Sequence, residues 1–497
     1  MKKVYNASVL YLDKKLPKVA KVTTVAMVTT VAKVVMVAMV NMAHFNDIGL
    51  EDGVQKTVQD YHSKEECLIM QTNAGKWRRM MTSAVIKWIL LGSFVLQKAY
   101  DMLVRYLDDS QKDKKLPDNV RDVYSNEEYA KFRAYKKDCS KTSLARALLT
   151  AIMLLAFLVF DVYAKVFAWA GTIAPNNMYV QYLLAVVVFA LVGLPIDIPF
   201  DYYETFVIEE RYGINKTAKK TFWADVVKST IVNAVLNFGL LAMIAFLFSH
   251  YGNAAILWAS IAAIAFVLIF NMLSVPFMRI FNKFTPLGEG ELRDKLQALC
   301  DSYGVKVKKI VVRDASRRTT KANAFCTGLK RKTISLDDNL VNNFTTNEIV
   351  AVFAHEFAHA RFKHILKSLP FALATVVLMI AGIGIVLNFP ALFTAFGFTE
   401  VNYYFASYVL SLLIWPLSLG LGTISSYLSR KHEYEADAFA ARQGYGDALI
   451  SALKKLTKES LSQVNPHPWI VMTEYSHPTL SQRIAAVRRI EEESLKK

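Results

Sequence analysis

Long apolar runs constrain this chain more than any other feature of its 497 residues. A helix needs about 20 consecutive apolar residues to cross a bilayer, and six runs supply them clearly: 148–164, 180–200, 229–248, 254–275, 370–387 and 405–427. A seventh run, 84–106, is weaker because it contains Lys87 and Lys98, which would have to face protein or extend to the interface. The sequence therefore predicts a mostly α-helical, polytopic membrane protein with seven transmembrane helices.

Basic residues in the connecting loops support the count of seven. Segments 106–147 and 201–227 carry ten and four Lys and Arg residues, whereas 165–179 carries one. Because basic loops stay on the cytosolic side of a membrane, this alternation places both basic loops in the cytosol, together with segment 276–369 and the C-terminal tail. An error in one marginal span is the alternative, but losing one inner span would put basic loops on opposite sides.

Composition narrows the function classes further. Hydrophobic residues make up 54% of the chain, the mean hydropathy is +0.26, and the formal net charge is +17. This apolar mass excludes an ordinary soluble enzyme and a disordered scaffold, and basic cytosolic loops explain the charge without a nucleic-acid partner. The four cysteines, Cys67, Cys139, Cys300 and Cys326, form no CxxC pair, so neither a disulfide framework nor a thiolate metal site is predicted.

The first 80 residues are atypical. Residues 19–41 form a low-complexity repeat of Val, Met, Thr and Ala that Lys21 and Lys33 interrupt, so it is typical of neither a signal sequence nor a clean span. Two interpretations stay open: an extra, weakly inserted element, or a natural translation start at Met80 or Met81. The second is favoured, and no function is assigned to this extension.

These patterns divide the chain into five parts. The extension, 1–80, precedes five spans with their loops in 81–275; a cytosolic segment, 276–369, is followed by two spans in 370–428 and a C-terminal segment, 429–497. In the cytosolic segment, alternating Val-rich runs and amphipathic runs predict a small α+β domain.

A predicted helix in the cytosolic segment carries the sequence HEFAH, residues 355–359. Thr345, with a glutamate three residues later, predicts a capping box at its start. Histidines at i and i+4 project from one helical face, so His355 and His359 can both reach one zinc ion. Glu356 would then lie beside a water whose pKa zinc lowers towards about 7, where its carboxylate can act as the general base.

Zinc needs a third protein ligand and keeps its fourth position for water. Glu433 lies beyond two further spans, on the same predicted side, and is the preferred candidate; Glu435 and His432 are local alternatives. Asp437 follows Glu433 by one helical turn and can accept a hydrogen bond from a ligand histidine. One Zn²⁺ ion per chain is the predicted cofactor.

Taken together, these motifs resemble the type I CAAX prenyl proteases, a family of membrane-integral zinc metalloendopeptidases. The resemblance rests on separate motifs in the right order: ERYGINK (210–216), FNKFTPL (281–287), KANAF (321–325), HEFAH (355–359), EYEADAFA (433–440), NPHPW (465–469) and YSHPTLSQRI (475–484). It covers about residues 82–490. It implies seven helices that enclose a large intramembrane chamber, with the zinc metalloprotease domain on the cytosolic side.

The resemblance implies a catalytic centre built on the HEFAH motif. His355, His359 and Glu433 would bind zinc, Glu356 would be the general base and proton shuttle, and Asp437 would orient a ligand.

The resemblance also implies residues that contact the substrate. Asn323 and Ala324 would lie on an edge strand that pairs with extended substrate backbone. His477 would lie over the metal and stabilise the oxyanion of the tetrahedral intermediate, and Arg483 would help to hold the site or the substrate. Without this family context, His477 is typical of a surface histidine beside a proline.

We therefore expect a membrane-embedded zinc metalloendopeptidase whose substrate is a peptide or protein, with or without a C-terminal lipid. Eukaryotic members of the family remove the last three residues of prenylated CaaX proteins, and prokaryotic relatives share the site. NPHPW and the compact soluble loop favour the prokaryotic branch and a bacterial inner membrane; the endoplasmic reticulum or nuclear membrane is the alternative. The lipid bilayer is the other predicted partner, and the oligomeric state stays open.

Two other functions remain as alternatives. The first is a membrane-protein quality-control protease of the same superfamily, although relatives of that kind have about four spans. The second, more remote, is a transporter or receptor in which HEFAH is incidental, but no internal repeat outside residues 19–41 and no midplane charge pair supports it.

Overall fold

The computed structural model describes residues 64–111, 114–272, 277–305, 307–327 and 332–496. This part of the chain is mostly helical and contains one four-stranded sheet. The low-complexity repeat 19–41 lies outside the described residues, so both interpretations of the N-terminal extension stay untested.

Long helices make up the chain before the sheet. They are α1 (Lys64–Asp109), α2 (Asn126–Val159), α3 (Val162–Ile173), α4 (Met178–Tyr203), α5 (Lys219–Tyr251) and α6 (Ala255–Met272). Ser125 begins α2 with a capping box that includes Glu128. Such reciprocal side-chain bonds satisfy amide groups that the first helical turn leaves free.

The segment after α6 contains the sheet and the helices that pack on it. These elements are β1 (Phe284–Pro286), α7 (Glu291–Ser302), β2 (Val307–Arg313), β3 (Ala324–Thr327), β4 (Lys332–Asp337), α8 (Asp338–Asn343) and α9 (Thr346–Arg361). The strand order is β1-β2-β4-β3; β2 pairs with β4 in parallel, and the other two pairs are antiparallel. β3 is therefore an edge strand of the sheet that the described residues form.

The remaining elements complete the chain: α10 (His364–Leu387), α11 (Ala391–Thr394), α12 (Tyr403–Ala440), α13 (Gly446–Glu459), α14 (Pro468–Thr473) and α15 (Leu480–Leu495). Only Phe362 and Lys363 separate α9 from α10. Lys363 has a φ of 56°, in the left-handed region that side chains other than glycine rarely adopt. This residue turns the chain abruptly from the HEFAH helix into an apolar one.

Five helical stretches in the described residues are long and apolar enough to cross a membrane: Asn126–Val159, Met178–Glu209, Lys219–Ile269, His364–Leu387 and Tyr403–Glu459. The third contains two of the predicted spans, because a turn at Gly252–Ala254 separates α5 from α6. The weak run 84–106 lies within α1 and carries four charged residues, and it is not among the five. The count of seven therefore stays a prediction.

One predicted span has different bounds in the structure. The run 148–164 is not continuous, since α2 ends at Val159 and α3 begins at Val162. Asp161 between them has a φ of 55°, which interrupts the helix.

The chain forms two compact units. Among the described residues, one comprises 64–97 with Ile385–Gly422, and in it Phe396 and Phe398 pack on Phe405 with ring centroids 5.2 and 4.8 Å apart. The other comprises Lys98–Gly384 with Thr423–Lys497, and it contains the sheet, α9 and all the candidate site residues.

The HEFAH helix, α9, forms the centre of the second unit's soluble core. It packs against α7, β3 and α13, and its residues from Glu348 to Phe353 are all buried. Thr345 and Glu348 form the predicted capping box. Glu348 also accepts hydrogen bonds from Ser451 at 2.6 Å and Lys455 at 2.8 Å, which fix the start of α9 to α13.

Candidate metal centre

Two helices bring three metal-ligating side chains together. His355 and His359 project from α9, and Glu433 projects from the C-terminal part of α12. The two Nε2 atoms lie 3.2 Å apart. Each lies 3.3 Å from an oxygen of Glu433, Oε2 for His355 and Oε1 for His359. The structure thus brings together the three residues that were predicted from the sequence as metal ligands.

This donor set fits zinc. Two imidazoles and one carboxylate are common ligands of catalytic zinc. Their separations of 3.2 and 3.3 Å match the edge of a tetrahedron, about 3.3 Å, that bonds of about 2.0–2.1 Å produce. Oε2 of buried Glu433 has no hydrogen-bond partner among the residues that the structure describes. A bound cation would compensate this costly arrangement.

The local alternatives for the third ligand lie differently. Oε2 of Glu435 is 3.1 Å from Nε2 of His364, and the ring of His432 stacks on that of His364 with centroids 4.2 Å apart. Of the three candidates, Glu433 is the one that belongs to the cluster.

Asp437 and Arg483 support the outer side of His355. With Nε2 directed at the cluster, Nδ1 of His355 donates to Oδ1 of Asp437 at 2.9 Å. Arg483 donates from Nε and Nη2 to the two oxygens of Asp437 at 2.8 and 2.6 Å. Asp437 is 0% exposed and Arg483 is 9% exposed. A buried, bidentate ion pair therefore fixes the orientation of the ligand ring.

The charges around His355 set its proton affinity. Desolvation would lower the pKa of His355, but the nearby carboxylates of Asp437 and Glu433 outweigh burial and raise the pKa to about 9 when only protein groups surround it. Glu356 next to it is partly exposed. Desolvation raises the pKa of Glu356, and the positive charges of His355 and His359 oppose that rise. A carboxyl whose pKa is raised towards neutrality suits proton transfer.

His477 lies next to the third residue of the cluster, Glu433. Its Nε2 lies 3.5 Å from Oε1 of Glu433, and Ser476 lies 2.8 Å from its Nδ1. His477, Leu480 and Arg483 line an open cavity of about 390 Å³. The predicted oxyanion residue therefore lies beside both a ligand and a space that could receive a substrate side chain.

The predicted substrate-binding residues lie at the sheet edge. Ala324 begins β3 and is buried, with 6% of its surface exposed. The exposed Asn323 accepts a hydrogen bond at Oδ1 from the amide of Ala324, and its carbonyl accepts one from the amide of Asp337. Both residues thus hold the start of an edge strand rather than contribute to the metal cluster.

Two residues near the site carried no predicted chemistry. His364 lies against the ligand His359, with their Nδ1 atoms 2.9 Å apart. Arg430 donates to the carbonyls of Val471 and Tyr475 at 2.7 and 2.6 Å, and so holds the segment that leads to His477. Neither contact has a local signal in the sequence.

Sequence comparisons place the chain among known proteins. The profile described as "CAAX prenyl protease N-terminal, five membrane helices" matches residues 106–283, and that described as "Peptidase family M48" matches residues 286–491. The Oryza sativa protein named "CAAX prenyl protease 1 homolog" is 33% identical over 382 residues, which cover 75% of this chain and 90% of the relative. CAAX prenyl protease 1 of Saccharomyces cerevisiae is 29% identical over 435 residues, 82% of this chain and 96% of the relative.

The fold is also similar to a solved structure. The crystal structure of S. mikatae Ste24p matches with a TM-score of 0.76 and 28% sequence identity. The match covers 81% of this chain and 99% of that one.

The chain combines apolar helices with a cluster of two histidines from an HExxH helix and a glutamate from a second helix. This combination defines a membrane-integral metallopeptidase. The chain matches both family profiles along most of its length. It belongs to the M48 peptidases of the CAAX prenyl protease 1 type. The predicted metalloendopeptidase activity and the family resemblance are thereby confirmed.

Proposed function

We propose that this enzyme cleaves membrane-associated peptides and proteins, and that its substrates include C-terminal CaaX sequences, as the names of its relatives indicate. One observation carries the proposal: His355, His359 and Glu433 converge to within 4.8 Å although residues 360–432 separate the two ligand segments. Such convergence of two imidazoles and a carboxylate is rare unless the residues hold a metal.

In the proposed site, His355, His359 and Glu433 hold one zinc ion, which when bound supplies a Lewis acid for the scissile carbonyl and acidifies a water. Glu356 takes the proton of the attacking water and passes it to the leaving nitrogen. His477 donates to the oxygen that gains negative charge.

Other residues of the chain position these groups and the substrate. Asp437 and Arg483 hold His355 in the orientation that keeps its Nε2 free of a proton. The free edge of β3, where Asn323 and Ala324 lie, accepts extended substrate backbone as an added strand.

We further propose seven transmembrane helices that enclose a chamber, with the protease domain on the cytosolic side. Support comes from the alternation of basic loops and from the continuity of α9 with the apolar α10. The relatives described above come from a plant and a yeast, which favours the endoplasmic reticulum or nuclear membrane over the bacterial inner membrane.

Replacing the proposed base tests the mechanism. In purified full-length protein, Glu356→Gln should keep about one zinc per chain but lower kcat/KM by about 10²–10⁴-fold, because general-base catalysis contributes that much. Glu289→Gln, an exposed glutamate of the same segment, is the matched control and should retain full activity. Near-normal proteolysis by Glu356→Gln would exclude the assigned role.

A substrate panel separates the proposed function from quality control. A farnesylated CaaX peptide, the same peptide without the lipid, and an unfolded membrane protein should be compared, each with and without a zinc chelator. The proposal expects chelator-sensitive cleavage of the CaaX peptides; cleavage of the unfolded protein alone would favour the quality-control alternative.

A further inference from the structure

The outer nitrogen of His359 does not contact a carboxylate, in contrast to that of His355. Instead, its Nδ1 lies 2.9 Å from Nδ1 of His364. Nε2 of His364 in turn lies 3.1 Å from Oε2 of Glu435. Three side chains from α9, α10 and α12 thus form a continuous hydrogen-bonded row that ends at a carboxylate.

The proton positions along this row follow from its two ends. When Nε2 of His359 binds a metal, its Nδ1 must carry the proton. Nδ1 of His364 is then the acceptor, and the remaining proton of His364 lies on Nε2. That nitrogen faces Glu435, which can only accept. Every donor therefore meets an acceptor, with both rings neutral.

We propose that His364 and Glu435 are positioning residues that hold the metal ligand His359 in its binding tautomer and orientation. This inference rests on the proposed zinc site. It gives the two ligand histidines equivalent support: Asp437 bonds His355 directly, whereas Glu435 acts on His359 through the imidazole of His364.

Burial and packing indicate a rigid arrangement. His364 is 4% exposed at the side chain, and its ring lies nearly parallel to that of His432, with 7° between the planes. Lys367 lies 3.6 Å from Oε2 of Glu435 and partly balances its charge. Because the acceptor nitrogen of His364 is held in place by stacking and by Glu435, it can restrict rotation of the ligand ring.

The abrupt turn at Lys363 makes this contact possible. His359 and His364 are five residues apart, a spacing that a continuous helix would not place on one face. The left-handed conformation of Lys363 starts α10 in a new direction, and His364 at its first position then lies against His359.

Metal affinity, measured apart from activity, tests the proposal. Full-length protein in detergent would be stripped of metal, and Zn²⁺ binding measured by competition with a fluorescent chelator. The Co²⁺-loaded protein would report ligand geometry through its visible absorption spectrum. His364→Leu removes the acceptor, His364→Asn keeps an acceptor oxygen near the position of Nδ1, and Glu435→Gln keeps an acceptor but removes the charge. His250→Leu, at an exposed histidine of α5, is the control.

We expect His364→Leu to weaken Zn²⁺ binding 10–100-fold, as loss of a ligand's hydrogen-bond partner usually does, and to change the Co²⁺ spectrum. His364→Asn should stay within about fivefold of the unmodified chain, Glu435→Gln should be intermediate, and His250→Leu should bind normally.

Each other outcome counts against the positioning role of His364 and Glu435. Normal Zn²⁺ affinity in His364→Leu, or equal losses in the Leu and Asn variants, would reduce His364 to a packing residue. If His364→Leu does not fold, normal affinity in Glu435→Gln would likewise overturn the proposal. If the unmodified chain binds no Zn²⁺, the proposed function is overturned as well. If the unmodified chain binds Zn²⁺ and cleaves its substrate, and the variants bind Zn²⁺ equally well, only the positioning role of His364 and Glu435 is overturned.

Discussion

Glu348 connects the start of the HEFAH helix to α13, and its charge should stabilise the catalytic unit in a pH-dependent manner. Desolvation would raise the pKa of Glu348, but hydrogen bonds from Lys455, Ser451 and the Thr345 amide outweigh burial and lower the pKa from 4.5 to about 2. In Glu348→Gln, the amide oxygen can take the place of Oε2 and accept the Thr345 bond, while the amide nitrogen takes the place of Oε1 and donates to the Ser451 hydroxyl. The substitution therefore isolates the contribution of the negative charge.

The expected magnitude follows from the pKa difference. A fall of about 2.5 in pKa corresponds to about 3.4 kcal/mol, but Lys455 is 42% exposed, so solvent screening reduces the expected loss to about 2 kcal/mol. Because the folded-state pKa lies below the unfolded one, this stabilisation is complete above about pH 4.5 and disappears as the pH falls towards 2. At pH 3.5 it should be smaller by roughly 40%.

Thermal unfolding of the soluble core can be followed through a buried thiol. Cys300 is 1% exposed and lies in the same hydrophobic core as α9, so it should react only on unfolding with a dipyridyl disulfide, a reagent that still exchanges with thiols at acidic pH and releases a coloured pyridinethione. The other three cysteines would be replaced by serine, and the chain compared with Glu348→Gln between pH 7 and 3.5. Glu291→Gln is the matched control, because Glu291 forms an exposed i,i+4 pair with Lys295 worth less than about 0.5 kcal/mol. A difference that does not shrink with falling pH would refute the electrostatic explanation, and no difference at neutral pH would refute the role of Glu348 altogether.

Two further substitutions test packing and charge elsewhere. Arg483→Met should lower the free energy of unfolding by about 3–5 kcal/mol, because buried Asp437 loses its cation, and adding Asp437→Asn should recover part of the loss in the same thermal assay. Gly384→Leu should lower the free energy of unfolding by about 1–3 kcal/mol, since a Cβ there would lie 2.9 Å from Cδ1 of Ile256. Gly420→Leu is the control and should lower it little, because no atom of the described residues lies within 4 Å of the corresponding Cβ. Equal effects of the two substitutions on thermal unfolding would contradict this explanation.

Local patterns were sufficient to predict the HEFAH helix and the Val-rich strand β2. The capping residues Thr345 and Glu348, the i and i+4 histidines, and the alternating run that became β2 are all read within one element. The prediction of Glu433 as a metal ligand required a further step, because Glu433 lies far from the HEFAH motif in the sequence. The basic residues of the loops predicted that both segments lie on the same side of the membrane.

Features that depend on irregular backbone or distant contacts were not predictable in this way. Asp161 and Lys363 adopt left-handed conformations without a glycine to signal a break. Consequently, no sequence pattern indicates that the 148–164 run is interrupted or that His364 contacts His359. Arg430 likewise depends on carbonyl groups more than 40 residues away, which no periodicity reveals.

The two-residue link between α9 and α10 has a consequence for which bonds the enzyme can reach. α10 is one of the helices apolar enough to cross the bilayer, and it begins five residues after His359. The proposed catalytic groups on α9 are therefore held within a few residues of the start of a helix that is long and apolar enough to cross a membrane. An extended chain spans about 3.3–3.6 Å per residue, so under the proposed topology we expect cleavage of a membrane-anchored substrate only within the first few residues beyond its anchor.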